Sequence, residues 1–338
     1  MKKIMSFVIV LISLLVLAAC NNTKNADIVT TMFPQYDFAR AIAGDKMTVS
    51  LLTPPGVDPH EFEASSKDMV AIRESKLFIM TSLDIDTWIK DLTEIGGPNT
   101  VVLDLSTSYD LSLHEHHDDH DDHDDEHDDH DDHGDHDYHD DHDDHDDHDD
   151  HDDHDHDDLH YWTDPVIALQ LIDAILEQII LLDPDNTLYY TQNAQTYKEA
   201  LDQLHHEIEA FFENPLYHDS TIYFAGHNAL GAFGSRYHLN IVSLFPNFIP
   251  DEDLTSAQLI QFINLIKTSQ TQYLFIEELV EPRAAQTIVA ELAKENYALT
   301  LLEFHGYHNI TAAEMANGVT YLELLQRNFD YLKMVLEQ

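Results

Sequence analysis

The stretch DNTLYYTQNAQTYKEALDQLHHEIEAFF, residues 185–212, decides the fold. Its apolar residues recur at alternating steps of four and three, the period of a helix with one apolar stripe; they are Tyr190, Ala194, Tyr197, Leu201, Leu204, Ile208 and Phe211. Such a helix is about 40 Å long, enough to run the height of two small lobes. A coiled-coil dimer has the same pattern, but a stripe of less than about four heptads favours packing against the protein's own body. We therefore predict a long rigid helix that joins two lobes.

A second predicted helix comes directly before the long one. Asp164 is a suitable N-cap and Pro165 suits the first helical position. The apolar run that follows ends at Leu182, where Asp183-Pro184 stops the helix. We therefore expect residues 164–213 to form the connection between the lobes.

Short apolar segments rich in β-branched residues alternate with helical stretches on both sides of this connection. The predicted strands are Ile28–Thr31, Val49–Leu52, Leu77–Met80 and Val101–Asp104 before it, and Thr221–Phe224, Ile241–Leu244, Tyr273–Ile276 and Thr300–Leu302 after it. The main predicted helices beside them are Gln35–Ala43, Ser66–Ser75 and Gly318–Leu336. This alternation predicts an α/β fold with two lobes, residues 28–163 and 214–338, each built on a parallel sheet. A cleft is expected between the lobes, at the carboxyl ends of the strands.

Residues 114–158 consist almost entirely of Asp and His, mostly in the repeat Asp-Asp-His. Imidazole is the commonest metal ligand in proteins, and neighbouring carboxylates concentrate divalent cations. We interpret this tract as a solvated, disordered insertion that collects metal; a disordered acidic spacer without ligands is the alternative. Its histidines are His114, His116, His117, His120, His123, His127, His130, His133, His136, His139, His142, His145, His148, His151, His154 and His156.

The charge of the chain excludes one class of partner. The formal net charge is −49, and the tract holds 27 of the acids but no Lys or Arg. The rest of the chain is still acidic, with 38 acids against 16 bases. Nucleic acid is therefore not expected as a partner, because contacts to phosphate need a basic surface.

The N-terminus has the pattern of a targeting segment. Lys2 and Lys3 precede an apolar run, Ile4 to Leu17, that is short for a membrane span. The run ends in Leu-Ala-Ala-Cys at Cys20, which resembles a bacterial lipobox and implies cleavage before Cys20 and its lipidation. A plain signal peptide is the alternative. Residues 1–20 are thus expected to be the leader and 21–27 a tether. Because Cys20 is the only cysteine, no intramolecular disulfide forms, and any metal site must use His and carboxylates.

Nine histidines lie outside the tract. Four of them follow predicted strands, namely His60, His227, His305 and His308, and His160 comes just after the tract. We interpret the other four as surface residues; they are His205, His206, His218 and His238.

Three motifs carry a resemblance to a known family: Pro59-His60-Glu61-Phe62-Glu63, His160-Tyr161-Trp162-Thr163-Asp164-Pro165 and Gly226-His227-Asn228-Ala229. In this order they resemble the metal-binding lipoproteins of ABC importers, specifically the zinc-binding ZnuA-like branch, over residues 27–338. The resemblance implies that His60, His160 and His227 bind the metal. His308, in His-Asn-Ile-Thr, best matches the fourth ligand position, with His305 and Glu303 as alternatives. The manganese branch tends to carry a carboxylate in place of His227.

The resemblance also implies a function. The protein would be an extracytoplasmic, membrane-anchored, monomeric and non-enzymatic lipoprotein that captures Zn²⁺ in one tight site and delivers it to an ABC permease. Weaker ions would bind to the tract, and Glu61 or Glu63 would accept hydrogen bonds from the ligating imidazoles. The alternatives are a surface zinc buffer or adhesin, a manganese-binding importer component, and an exported zinc hydrolase. A hydrolase is disfavoured because the chain has no His-Glu-x-x-His helix or nucleophile motif.

Overall fold

Two parallel four-stranded sheets form the framework of the protein in the computed structural model, which describes residues 26–110, 159–245 and 255–337. The first sheet contains β1 (Ile28–Thr30), β2 (Val49–Leu51), β3 (Leu77–Met80) and β4 (Val101–Asp104). The second contains β5 (Thr221–His227), β6 (Asn240–Phe245), β7 (Tyr273–Ile276) and β8 (Thr300–Glu303). The strand orders, β2-β1-β3-β4 and β6-β5-β7-β8, are the same topology repeated.

The described residues form ten α-helices: α1 (Phe33–Ala43), α2 (Ser66–Glu74), α3 (Leu92–Ile95), α4 (Pro165–Leu182), α5 (Thr187–Phe212), α6 (Gly231–Arg236), α7 (Ser256–Ser269), α8 (Arg283–Ala293), α9 (Ala312–Asn317) and α10 (Tyr321–Leu336). Short 3-10 helices occupy Pro59–Glu61, Leu105–Thr107, Tyr161–Thr163 and Pro184–Asn186. Helices α2, α7, α9 and α10 each begin at a capping box, in which a Ser or Thr and the residue three positions later satisfy each other's backbone N–H groups.

The two connecting helices pack inside the protein body. Helix α4 is apolar enough over its 18 residues to cross a membrane by length and composition. However, Ile172, Ile175 and Ile179 are fully buried in the largest hydrophobic cluster, so α4 is a core helix. The same cluster includes Ile208 of α5 and Phe304 after β8. One continuous core therefore connects both lobes through the connecting helices.

The last helix returns to the first lobe. The backbone N–H of Tyr321, at the start of α10, donates to the Asp37 carboxylate of α1 at 2.9 Å. The same carboxylate accepts from the hydroxyl of Tyr197 of α5 at 2.6 Å and from Arg40 at 2.6 Å. Because Asp37 is fully buried, these bonds replace its lost hydration. Asp37 thus joins three helices from distant parts of the sequence.

The α/β fold class with two parallel sheets and a long connecting helix is confirmed. All eight predicted strands are present, with ends that differ from the prediction by at most a few residues, and β5 continues three residues further, to His227. The predicted leader, tether residues 21–25, Cys20 and the tract at residues 114–158 lie outside the described residues.

Candidate metal centre

Four histidines meet where the loops of the two lobes come together. His60, His160, His227 and His308 each offer a ring nitrogen, and these atoms lie within 4.8 Å of one another. The ring centroids are 4.9 to 5.6 Å apart. Three of the rings are buried and His60 is half-buried. Each lobe contributes two imidazoles, from the carboxyl-end loops of its sheet or, for His227, from the end of a strand.

His60 lies in the 3-10 helix after β2, and its backbone N–H donates to the Asp58 side chain at 2.9 Å. The loop before it is fastened to the second lobe. The Asn309 side-chain amide donates to the carbonyl oxygens of Pro54 and Val57, both at 2.8 Å. The position of His60 therefore depends on contact between the two lobes.

His160 immediately precedes the 3-10 helix that leads into α4. The indole N–H of Trp162 donates to the Gly306 carbonyl at 2.9 Å, which ties this segment to the loop after β8. Asp164, the N-cap of α4, forms a buried ion pair with Arg236 of α6 at 2.9 Å. The His160 segment is thus tied to the second lobe on its carboxyl side, while the Tyr161 hydroxyl donates to the Thr81 carbonyl of the first lobe at 2.7 Å.

His227 is the last residue of β5, where the pairing with β6 is irregular between Phe224 and His227. Such an irregularity re-aims side chains at a strand end. The Nδ1 atom of His227 lies 2.8 Å from a Glu277 carboxylate oxygen, and its Nε2 atom lies 3.2 Å from Nε2 of His160. The Glu277 contact favours a proton on Nδ1, so that Nε2, the atom beside His160, is the nitrogen that faces the cluster.

His308 is held by a carboxylate as well. Its Nδ1 atom lies 2.9 Å from Glu278, and the backbone N–H groups of His308 and Gly306 donate to the same carboxylate at 3.2 and 2.9 Å. A side chain at Gly306 would come within 2.8 Å of the His308 ring, so this close approach requires glycine. With Nδ1 bonded to Glu278, Nε2 of His308 is the atom available to a metal.

Burial sets the protonation of the first lobe's histidines. It lowers the pKa of His60 to about 3 and holds the pKa of His160 well below its ordinary value. Both rings are therefore neutral at physiological pH, which is the form that binds metal.

In the second lobe, a buried carboxylate also affects the protonation of the histidines. Burial opposes the charged form of His308, but the Glu278 carboxylate outweighs it and raises the pKa of His308. Burial would likewise raise the pKa of Glu278, but His305, His308 and the Gly306 N–H group together hold it below its ordinary value. Glu278 is therefore ionised.

The four rings fit a tetrahedral metal ion. With Zn–N bonds of about 2.0–2.1 Å, the nitrogens of a tetrahedral site are about 3.3 Å apart, and the His160–His227 nitrogens are already 3.2 Å apart. Nε2 of His60 and Nε2 of His308 are buried and have no hydrogen-bond partner within the described part of the chain. The carboxylates of Glu277 and Glu278 lie 2.8 and 2.9 Å from the Nδ1 atoms of His227 and His308, so they can offset the charge of a dication.

The two alternative fourth ligands lie elsewhere. His305 is buried, but its Nδ1 atom accepts from the backbone N–H of Tyr307 at 2.9 Å, and burial lowers its pKa to about 4. Glu303, at the end of β8, pairs with Arg327 at 2.7 Å. Of the three candidates in this loop, His308 is the one that the structure places in the cluster.

The carboxylates behind the imidazoles are not those expected from the sequence. Glu61 and Glu63 are exposed, and in the described residues Glu277 and Glu278 contact the rings instead. Sequence reasoning missed this pair, although both residues directly follow strand β7 and so lie at the carboxyl edge of the sheet.

The prediction that four histidines lie at the surface is wrong for one of them. His205 is buried rather than exposed, because Tyr237 from the segment after α6 covers it and its hydroxyl lies 2.9 Å from Nδ1 of His205. The expectation assumed a narrow apolar stripe on α5, and the buried face of the helix is wider. His206, His218 and His238 are exposed, as expected.

Fold and site together define a class: a two-lobed α/β protein with a four-imidazole cluster, suited to a divalent cation, between its lobes. The family model described as "Zinc-uptake complex component A periplasmic" matches residues 28–335, and the chain belongs to this family.

Individual relatives agree with this assignment. The chain is 28% identical over 346 residues to the "High-affinity zinc uptake system protein ZnuA" of Bacillus subtilis, covering 98% of this chain and 97% of that protein. It is 27% identical over 351 residues to the "Zinc-binding lipoprotein AdcA" of Streptococcus pneumoniae, and the match spans all of this chain but only 62% of AdcA.

Solved structures share the fold. The Zn(II)-bound ZnuA-like domain of Streptococcus pneumoniae AdcA has a TM-score of 0.68 at 22% identity, covering 93% of this chain and 100% of that domain. The laminin-binding protein Lmb of Streptococcus agalactiae, described as having adhesin and metal transporting activity, has a TM-score of 0.68 at 23% identity, covering 91% of this chain and 98% of Lmb. At these identities the likeness shows the fold alone.

Proposed function

We propose that this protein captures Zn²⁺ outside the cytoplasm and delivers it to an ABC permease for zinc uptake. The observation that carries the proposal is the buried cluster of His60, His160, His227 and His308, to which each lobe contributes two rings. The names of the relatives from Bacillus subtilis and Streptococcus pneumoniae support the same conclusion.

The donor set favours zinc over manganese. Imidazole nitrogens suit zinc, whereas manganese and magnesium prefer oxygen ligands in octahedral sites. The nearest carboxylates, Glu277 and Glu278, contact the rings through Nδ1. In this arrangement they orient the imidazoles and raise their basicity. Copper and nickel also bind imidazole well, so metal supply and site geometry must complete the selection.

The number of rings favours a receptor over a hydrolase. A catalytic zinc site keeps three protein ligands and leaves the fourth position to water or substrate. Here four imidazoles are available within 4.8 Å, which is enough to complete the tetrahedron. A closed site of this kind binds an ion without activating water.

The burial pattern indicates the direction of entry. His60 is half-buried, while the other three rings are almost inaccessible to solvent. An ion therefore arrives past His60, which binds last on the outer side. Release requires the His60 loop to move away from the other rings, because the His160 segment is tied to the second lobe that carries His227 and His308. The hydrogen bonds from Asn309 to the loop before His60 break in that movement.

The remaining parts of the proposal concern residues beyond the described ranges. Lipidation of Cys20 would anchor the protein to the membrane, and the monomer would reach the permease by diffusing along its surface. The tract at residues 114–158 would hold further zinc ions weakly and raise the local zinc supply near the cleft.

Uptake of radioactive zinc at low zinc concentration tests the proposal. Cells that lack this protein should take up less zinc, and the wild-type chain should restore uptake. His160→Ala should not restore it, while His206→Ala, which changes an exposed histidine of α5, should restore it fully. A surface buffer or adhesin would leave uptake unchanged when the protein is removed, and that result would refute the transport function.

A further inference from the structure

A second group of metal-ligating side chains lies at the amino ends of two strands of the second sheet, opposite to the four-imidazole cluster. His218 and Asp219 precede β5, and His238 precedes β6. Each offers one ligand atom, and these atoms lie within 4.8 Å of one another. Strand β5 runs from Thr221 to His227, so about 20 Å of extended chain separates this group from the four-imidazole cluster.

The sheet register brings these residues together. Thr221 and Asn240 are partners in the parallel pairing of β5 and β6, and Asp219 and His238 each come two residues earlier. Neighbouring strands are about 4.8 Å apart, so the two segments enter the sheet side by side, each with a left-handed residue two positions before its strand. The backbone N–H of Asn240 also donates to the Ser220 carbonyl at 2.8 Å. The two segments are therefore held together by the sheet itself.

The side chains are in mutual contact. Nδ1 of His218 lies 3.0 Å from a carboxylate oxygen of Asp219. The imidazole rings of His218 and His238 stack with centroids 5.1 Å apart and an angle of 26° between their planes. All three residues are exposed, so an ion reaches them directly from solvent. Small rotations of exposed side chains are enough to bring the three ligand atoms onto one ion.

We propose that His218, Asp219 and His238 form a surface site for a divalent transition-metal ion, and that zinc or copper(II) is the ion bound. Two imidazoles and one carboxylate are a common donor set for these metals, and water completes the coordination. The acidic balance of the chain outside the tract, 38 acids against 16 bases, adds a general attraction for cations. Because all three ligands are exposed, this site binds more weakly than the buried cluster and independently of it.

A matched control is present on α5. His206 is exposed and its Nδ1 atom lies 3.6 Å from the carboxylate of Asp202, so it also pairs a histidine with an acid. The pair belongs to neither group of three or more metal-ligating residues found in the described residues. A simple preference of metal for any exposed His–Asp pair would therefore affect His206 as much as His218.

Diethyl pyrocarbonate labelling of the full chain tests the site, with each modified histidine quantified by peptide mass spectrometry. The reagent attacks neutral imidazole nitrogen, and coordination of zinc blocks the attack. We expect increasing zinc to protect His218 and His238 together, at a common midpoint, while His206 stays reactive. Peptides report each histidine separately, and a zinc buffer fixes the free zinc concentration, so ions bound to residues 114–158 do not shift the midpoint.

Two variants complete the test. His238→Ala should abolish the protection of His218, and Asp219→Asn should shift it to higher zinc concentration. Both positions are exposed, so the fold should be kept, which circular dichroism checks. The site is refuted if His218 and His238 remain as reactive as His206 in excess zinc. It is also refuted if His238→Ala leaves the protection of His218 unchanged.

Discussion

The two lobes repeat one strand topology, but they shift the pKa of a buried carboxylic acid in opposite directions. In the first lobe, the loop after β3 contains Asp86, whose carboxylate accepts from the Thr81 N–H group and the Thr31 hydroxyl at 2.7 and 3.1 Å. These partners are neutral, and burial raises the pKa of Asp86 to about 7. In the second lobe, Glu278 follows the corresponding strand β7, and its pKa is lowered despite full burial, because His305 and His308 lie beside it.

The difference shows how one architecture supplies two kinds of half-site. The second lobe keeps a buried negative charge and uses it to orient an imidazole. The first lobe contributes His60 and His160, whose rings are kept neutral by burial and positioned by backbone contacts. Function therefore depends on the residues at the strand ends rather than on the repeated sheet.

The largest effect is expected from removing one imidazole. His160→Ala or His227→Ala should weaken the tightest zinc binding by more than about 100-fold, because loss of a direct ligand should exceed the 10–100-fold cost of losing a partner behind it. Chelator competition on the full chain measures this. His206→Ala should have no effect, and equal losses in all three variants would contradict the proposed cluster.

The fourth ligand is tested in the same way. His308→Ala should weaken zinc binding more than His305→Ala, and the reverse order would reassign the fourth ligand.

A smaller effect is expected from the carboxylates of the second lobe. Glu278→Gln should weaken zinc binding by about 10- to 100-fold, because the His308 ring loses the acceptor that fixes its orientation and tautomer. Glu281→Gln is the matched control, since Glu281 is an exposed acid of the same segment that pairs with Arg283. Unchanged affinity in Glu278→Gln would show that the buried charge does not orient the ring.

The two lobes should also differ in their response to acid. The pKa of His308 is raised, so protons compete with zinc there first as the pH falls, whereas His60, with a pKa of about 3, stays neutral. Glu278→Gln removes the cause of the raised pKa, so the zinc affinity of this variant, although weaker throughout, should begin to fall at a lower pH than the wild-type affinity does. Zinc affinity measured from about pH 7.5 to about pH 5.5 tests this. If the affinity of the variant begins to fall at the same pH as the wild type or at a higher pH, the assignment of the proton to His308 is contradicted.

The smallest effect on zinc is expected at Asp86, where the change appears in stability. Its pKa is about 7 in the folded protein against an ordinary value of 3.8. The folded state therefore binds a proton that the unfolded state has lost, and stability falls as the pH rises through that window. Asp86→Asn should flatten this decline in urea unfolding of the zinc-free protein and change zinc affinity little. The exposed Asp84→Asn should keep the wild-type slope; an unchanged slope in Asp86→Asn would contradict the raised pKa.

The fold could largely be predicted from the sequence because its strands are short apolar runs, separated by stretches whose apolar residues recur with the period of a helix. The histidines of the cluster were found because each follows a predicted strand or lies in a motif of a known family. The partners behind them were not found. In a chain with 65 acids, nothing local separates Glu278 from exposed glutamates, since its burial depends on the tight turn at Gly306 and the ring of His308.

His205 illustrates a second limit. The apolar period of α5 was read correctly, but the width of its buried face depends on what packs against it. Tyr237 comes 32 positions later in the chain and buries one polar neighbour of the stripe. Likewise, the proximity of His218 and His238 follows from the pairing register of β5 and β6, which the sequence alone does not specify.

The convergence of three helices on Asp37 has a consequence for how the protein is made. Asp37 leaves the ribosome early, whereas Tyr321, which donates to it, lies 284 positions later. Until helix α10 is synthesised, the first lobe contains a carboxylate whose burial is incompletely compensated, so it cannot reach its final packing. If the chain is exported before it folds, as the proposed function implies, this dependence keeps the first lobe from folding too early. Completion of the first lobe therefore waits for the last helix.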